Sequence, residues 1–317
     1  MARQDAHLWM GRAFNRRVVR QNEKPDAYYV FNTAGLEILK DARRENRTGI
    51  LEQTIAPLAV ERRILKDEAR QHPKWTEAEG FGRYEHDRMI QREKKEWKEA
   101  DQILCGSEFV AEGIEESGGA REKCKIVPYG VELETPPRSE SPTSVEKENV
   151  RPLHVLTVGH VSLRKGIPYL YWSARELGKA ARFRVVGPLN IPPAAVSRLR
   201  KHAEVTGGVP RTEVSNHYKW ADVFLLPSLC EGSATVCYEA LGHALPVVTT
   251  PNAGSIVRDG EEGFIVPIRD PEAIVEALIR LAEDRVLLRS MSKSARTRAK
   301  EGSLDAYASR LIDAVSA

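Results

Sequence analysis

Two glutamates, Glu231 and Glu239, flank the run Gly232-Ser233-Ala234-Thr235-Val236 inside the longer stretch Pro227–Thr250. Carboxylates accept hydrogen bonds from hydroxyls, while backbone amides at the start of a helix, with its dipole, favour an anion. Hydroxyls at both ends of a ligand and phosphate between them describe a nucleotide sugar. Two solvated surface carboxylates would show the same spacing, so the reading depends on what surrounds them.

A second group lies upstream, in Gly159-His160-Val-Ser-Leu-Arg164-Lys165-Gly166. Glycines permit a tight turn, and two adjacent cations can neutralise a diphosphate and the charge that gathers on it as a leaving group departs. The spacing matches neither G-x-G-x-x-G nor G-x-x-x-x-G-K-[ST], which disfavours dinucleotide and P-loop readings. Gly207-Gly-Val209-Pro210-Arg211 offers small residues that would let a flat base approach the backbone, and a plain turn would use the same residues. The histidines show no metal-ligand spacing and there is no Asp-x-Asp, so no metal site is expected.

The elements that must position these residues alternate. Ala221–Leu226 reads as a buried strand ended by Pro227 and Ser228. A helix opens at Gly232–Ser233 and runs to about His243, with Glu239 two turns in, and Pro246–Thr250 is the next strand. Upstream, Leu153–Val158 and Phe183–Val186 are strands, Val205–Gly207 follows, and helices cover Ile167–Leu177, Pro192–His202 and Val214–Lys219. Helices over Pro271–Glu283, Val286–Ala299 and Leu304–Val315 complete the chain. Such alternation gives an α/β domain with a parallel sheet covered on both faces, whose ligands sit beyond the carboxyl ends of the strands.

The first half carries strands at Ala27–Phe31, Gly49–Gln53, Gln102–Cys105 and Lys125–Val127. Helices are expected over 1–24 and 34–46, two more between Pro57 and Ala100, and another after Ser107, a serine suited to cap it. Residues 132–151, rich in proline, serine and charge, form a linker. The expected organisation is a lobe over 1–131, the linker, a second lobe over 152–302 and a final helix over 303–317.

Hydrophobic content of 41% and charged content of 29% describe a globular chain, and no stretch is apolar for long enough to span a bilayer. A formal net charge of +3 is too small to argue for nucleic acid, and nothing points to an obligate protein partner. The start, M-A-R-Q-D-A-H-L-W-M, does not read as a signal peptide, and the four cysteines lack C-x-x-C spacing, so reduced thiols and a cytoplasmic setting are expected. Arg12, Arg16, Arg17 and Arg20 share a stretch with Leu8, Trp9, Met10, Phe14, Val18 and Val19. It reads either as a basic amphipathic helix touching the inner face of a membrane or as an ordinary surface helix packed on its own domain.

Taken in order, Gly159…Arg164-Lys165-Gly166, Gly187, Gly208-Val-Pro-Arg211, Ala221-Asp222…Leu226-Pro-Ser228, Glu231-Gly…Glu239-Ala and Leu245-Pro-Val-Val…Thr250…Gly254 resemble the group 1 retaining glycosyltransferases of the GT-B fold. The resemblance spans roughly residues 98–300. It implies two Rossmann-like lobes, with a nucleotide-diphosphate sugar held mainly by the second and no other cofactor. The last helix would cross back to the first lobe. By motif, Glu231 would hold hydroxyls of the transferred sugar, Gly232 to Val236 would meet sugar and phosphate, and Glu239 would bind the ribose. Arg164 and Lys165 would face the diphosphate. Gly159, His160, Gly187, Val209 and Pro210 would line the donor site, with His160 where the family usually has arginine. Metal-independent transfer with retention to a saccharide or lipid-linked acceptor is implied. The first lobe starts in what matches the middle of the family's lobe, which implies missing opening elements. The alternative is a nucleotide-sugar-binding protein without transferase activity.

Overall fold

The computed structural model describes residues 3–21, 24–76, 87–133 and 151–316. The first half opens with α1 (Arg3–Val19), β1 (Ala27–Phe31), α2 (Leu36–Arg44), β2 (Thr48–Gln53) and α3 (Leu58–Gln71). It continues with α4 (Asp87–Glu99), β3 (Gln102–Cys105), α5 (Glu108–Glu116) and β4 (Cys124–Ile126). The four strands pair in parallel in the order β1-β2-β3-β4. Because neighbouring residues of a strand point to opposite faces, Leu51 and Ile103 enter one core with Leu39, Trp97, Val110 and Ile114, while Ile50 and Leu104 face the other way.

The second half contains β5 (Leu153–Val158), α6 (Ile167–Leu177), β6 (Ala181–Val186), α7 (Pro193–Leu199), β7 (Ala203–Gly207) and α8 (Arg211–Trp220). Then come β8 (Val223–Leu226), α9 (Thr235–Gly242), β9 (Val247–Thr249), β10 (Gly263–Ile265), α10 (Pro271–Glu283), α11 (Arg285–Arg298) and α12 (Leu304–Ser316). Its parallel sheet has the order β10-β9-β8-β5-β6-β7. All four residues of β8 are buried, as required of a central strand with helices on both faces. The chain leaves β5 in one direction and returns to β8 on its other side. This leaves a crevice beyond their carboxyl ends, where open α/β sheets take ligands.

Several helix ends follow from capping. Asp270 accepts the Ala273 amide at 2.8 Å with Pro271 in the first turn, and Asp284 accepts that of Leu287 at 2.8 Å. Three expectations need correction. Ser107 sits at the start of α5, yet its hydroxyl does not cap the helix and instead donates to the Gly232 carbonyl at 2.6 Å. Helix α9 begins at Thr235 rather than at Gly232–Ser233, because the amides of Glu231 and Ala234 are tied to the carbonyls of Asn252 and Ala253, both at 3.0 Å. Glu239 therefore lies just over one turn in, not two. Strand β10, three residues between turns, had no counterpart in the expected elements.

The two halves are joined in both directions. Helix α12 lies on the first sheet, where Tyr307, Leu311 and Ala314 cover Ile50, Leu104 and Val127. Its Ala314 carbonyl accepts from Gln102 at 2.9 Å and Lys125 at 3.0 Å. In return, Ala56, Val60, Ile64 and Trp75 join the core formed by α6, α7 and α10 on the second sheet. By chain position α3 belongs to the first lobe, but its apolar side packs into the second. The expected linker, 132–151, falls outside the described residues from 134 to 150.

Candidate active site

The turn after β5 and the loop after β8 meet in the crevice. Leu163–Lys165 form one 3-10 turn that ends at Gly166, with φ of +68°. A side chain there would place a Cβ 2.0 Å from the Pro227 carbonyl oxygen, so only glycine lets the two loops approach this closely. The Leu229 amide donates to the Arg164 carbonyl at 2.8 Å and fixes their register.

This brings Glu231 between two cations. Lys165 Nζ lies 2.9 Å from one carboxylate oxygen and an Arg164 guanidinium nitrogen 3.3 Å from the other, while the Ser228 hydroxyl donates at 3.2 Å. Glu231 and Lys165 are buried at 7% and 8% exposure, and Arg164 is half-buried. Charges this deep are held by their pairing, and a diphosphate could compete with the carboxylate for the same cations. Asn252 steadies the loop through a side-chain bond to the Leu229 carbonyl at 2.8 Å.

Beside this cluster lies the N-terminus of α9. Thr235 and Val236 occupy its first two positions, where no helical carbonyl can accept their amides, and Thr235 is exposed. Not every amide of the run Gly232–Val236, expected to meet sugar and phosphate, is open. The Ala234 amide is spent on Ala253. Ser233 is buried, with its hydroxyl 2.6 Å from that of Tyr238. Gly232 has a packing role as well: a Cβ there would fall 2.1 Å from the Thr54 carbonyl oxygen of the first lobe, so glycine lets the lobes touch.

One turn along α9, Glu239 accepts the Tyr218 hydroxyl at 2.9 Å and lies 3.4 Å from Arg211. Burial, then the Glu239 charge, pushes the Tyr218 phenol well above its ordinary range, so it stays a hydrogen-bond donor. The two residues line a cleft with Arg211, Ser215 and His243. Gly159 and Gly187 stand side by side at the ends of β5 and β6, joined to the next strands by Gly159 N to Val186 O at 2.9 Å and Gly187 N to Gly207 O at 2.8 Å. His160 is exposed at the rim, Val209 is half-buried, and Pro210 caps the start of α8. The structure thus brings Arg164, Lys165 and Glu231 into contact and sets Glu239 apart, one turn along α9.

One carboxylate escaped the sequence reading. Glu61, in the first turn of α3, comes from the first half and lies close enough to feel the charges of Arg164 and Glu231. Burial raises its pKa, Arg164 opposes the rise and Glu231 adds to it. Nothing in a charged helix distinguishes Glu61 from Glu68, and only the packing of α3 on the second lobe reveals it.

Two Rossmann-like lobes, each built on a parallel sheet, form a GT-B architecture. The fold resembles Anabaena Alr3699/HepE, solved in complex with UDP, with a TM-score of 0.71 at 15% identity over 96% of this chain and 82% of that one. Residues 152–284 match the family model for Glycosyl transferases group 1. WcaL of Escherichia coli (strain K12), a glycosyltransferase provisionally assigned to colanic acid biosynthesis, is 28% identical over 203 residues, 59% of this chain and 49% of its own. The UDP-Gal:alpha-D-GlcNAc-diphosphoundecaprenol alpha-1,3-galactosyltransferase of Escherichia coli is 34% identical over 94 residues, 29% of this chain and 24% of its own. The chain spans about half the length of the first curated relatives it matches.

Proposed function

We propose that this chain transfers a glycosyl unit from a nucleoside-diphosphate sugar to a hydroxyl of a saccharide or lipid-linked acceptor, in the synthesis of a surface polysaccharide or glycolipid. The observation that carries the reading is the Arg164–Lys165–Glu231 cluster, with Lys165 and Glu231 buried, beside the open amides of Thr235 and Val236. Diphosphate would take over Lys165 and Arg164 and receive the α9 amides, which frees Glu231 to accept hydrogen bonds from sugar hydroxyls. Glu239, held by Tyr218, would accept the ribose hydroxyls.

Transfer then proceeds with retention and without metal. The bond between the anomeric carbon and the β-phosphate oxygen breaks, and its electron pair stays on the phosphate. The acceptor oxygen bonds to the anomeric carbon from the same face, and its proton passes to a phosphate oxygen. Lys165 and Arg164 stabilise the charge that grows on the leaving diphosphate.

The test is release of nucleoside diphosphate from a panel of nucleotide sugars, with free and prenyl-diphosphate-linked saccharides as acceptors. The expected result is turnover with one donor class, a product of unchanged anomeric configuration by NMR, and no loss of rate with a chelator. An inverted product, or release that needs a divalent ion, would overturn the mechanism.

A further inference from the structure

Helix α1 is built inside out. Among its described side chains the fully buried one is polar: Asn15 donates from Nδ2 to the Ala34 carbonyl and to Glu37, both at 2.7 Å. Its large apolar residues face outward, with Trp9 64%, Met10 52% and Phe14 65% exposed. Helices that merely cover a globular core show the reverse pattern. The half-buried Leu8, Gly11, Val18 and Val19 complete the inner side, so the helix is anchored without using its aromatic residues.

Arginines are interleaved with that apolar face. Arg12, Arg16, Arg17 and Arg20 are all exposed, and Arg16, Arg17 and Arg20 form no ion pair among the described residues. An open groove between α1 and α4 continues the basic surface, lined by Trp9, Arg12, Arg88 and Lys95. Among the described residues that line it, the acidic one, Asp87, is paired with Arg62.

We infer that this face docks on an anionic phospholipid bilayer. Trp9, Met10 and Phe14 would enter the headgroup–acyl boundary while the arginines meet lipid phosphates, and the groove would take a headgroup between α1 and α4. Tryptophan favours that depth, and arginines near an anionic surface add to binding without needing a defined partner. Exposed apolar side chains of this size among cations fit a bilayer better than nucleic acid, which calls for cations without a Trp-Met-Phe stripe. Docking of this kind is independent of the chemistry in the crevice.

Flotation of the full chain with vesicles tests it, using phosphatidylcholine alone and phosphatidylcholine mixed with phosphatidylglycerol, at low and high salt. The expected result is binding to the mixed vesicles only, lost at high salt. Arg16→Gln with Arg17→Gln should weaken partitioning about fivefold per arginine. Trp9→Ser with Phe14→Ser should weaken it at least about tenfold. Both double variants should melt as the parent does, since the changed side chains face solvent. Equal binding to neutral vesicles, no binding to either, or full binding by both double variants would overturn the inference. So would a dimer or a DNA complex that Phe14→Ser abolishes while vesicles are ignored.

Discussion

Buried carboxylates occur in both halves of the molecule, and the comparison separates structure from site. In the first half, Glu96 on α4 accepts the amides of Gly35 and Leu36 at 3.1 Å and so caps α2 from outside. Three residues earlier, Glu93 accepts the Leu58 amide at 2.9 Å and Gln53 at 2.8 Å, doing the same for α3. Glu52 accepts Tyr129 at 2.7 Å together with Tyr29, and Glu68 accepts Tyr169 and Arg269. These partners join elements of the fold: helix starts, tyrosines and the Arg269 loop. Glu231 in the second half is also buried, at 7% exposure, yet its partners are two cations at a loop edge that a diphosphate could take. Burial alone does not mark a site. An exchangeable partner does.

The largest expected effect is on transfer. Lys165→Ala should lower the rate of the folded protein by about 10²–10³, roughly 3–4 kcal/mol, with a smaller loss of stability because Arg164 still pairs with Glu231, as steady-state kinetics and thermal denaturation would show. Glu96→Ala inverts the pattern. Stranding the amides of Thr33, Gly35 and Leu36 should cost about 3 kcal/mol in urea unfolding and leave donor affinity of the folded protein unchanged. If that variant loses donor affinity as Lys165→Ala does, the distinction between the halves fails.

Glu239→Ala should weaken donor binding by about ten- to a hundredfold, or about 1.5–3 kcal/mol, without altering unfolding by a comparable amount. The smallest effect belongs to the anchor of α1. Burial, the largest influence on Glu37, acts to raise its pKa, but hydrogen bonds from Arg92 and Asn15 hold it down to about 2, against 4.5 ordinarily. A folded pKa below the unfolded one means stability that is present above about pH 4.5 and lost as pH falls towards 2. After screening at this partly exposed site, that amounts to about 1–2 kcal/mol. Urea titrations across that window should show the loss in the parent and not in Glu37→Gln.

What the sequence revealed follows the same division. Residues 164–165 and 231 follow β5 and β8, neighbouring central strands of the sheet, and a short loop can only reach the crevice there, so motif and geometry coincide. Helices α6 and α10 were legible to the residue because Gly166, Pro168, Asp270 and Pro271 punctuate them. The remainder depends on long-range contact. Ser107 looks like a cap, but Gly232 of the other lobe claims its hydroxyl. Glu93 and Glu96 look like solvated charges of a basic helix, yet they cap two helices more than thirty residues away. Whether α1 turns its aromatic residues inward or outward depends on Asn15 finding Glu37, which no periodicity records.

The most direct test of the central claim is calorimetric titration of the parent chain, Lys165→Ala and Glu239→Ala with uridine, guanosine and adenosine diphosphates and their sugars. The account predicts that one nucleotide class binds the parent and that each variant weakens that class by about ten- to a hundredfold. Binding indifferent to both substitutions, or no binding by any member of the panel, would contradict it.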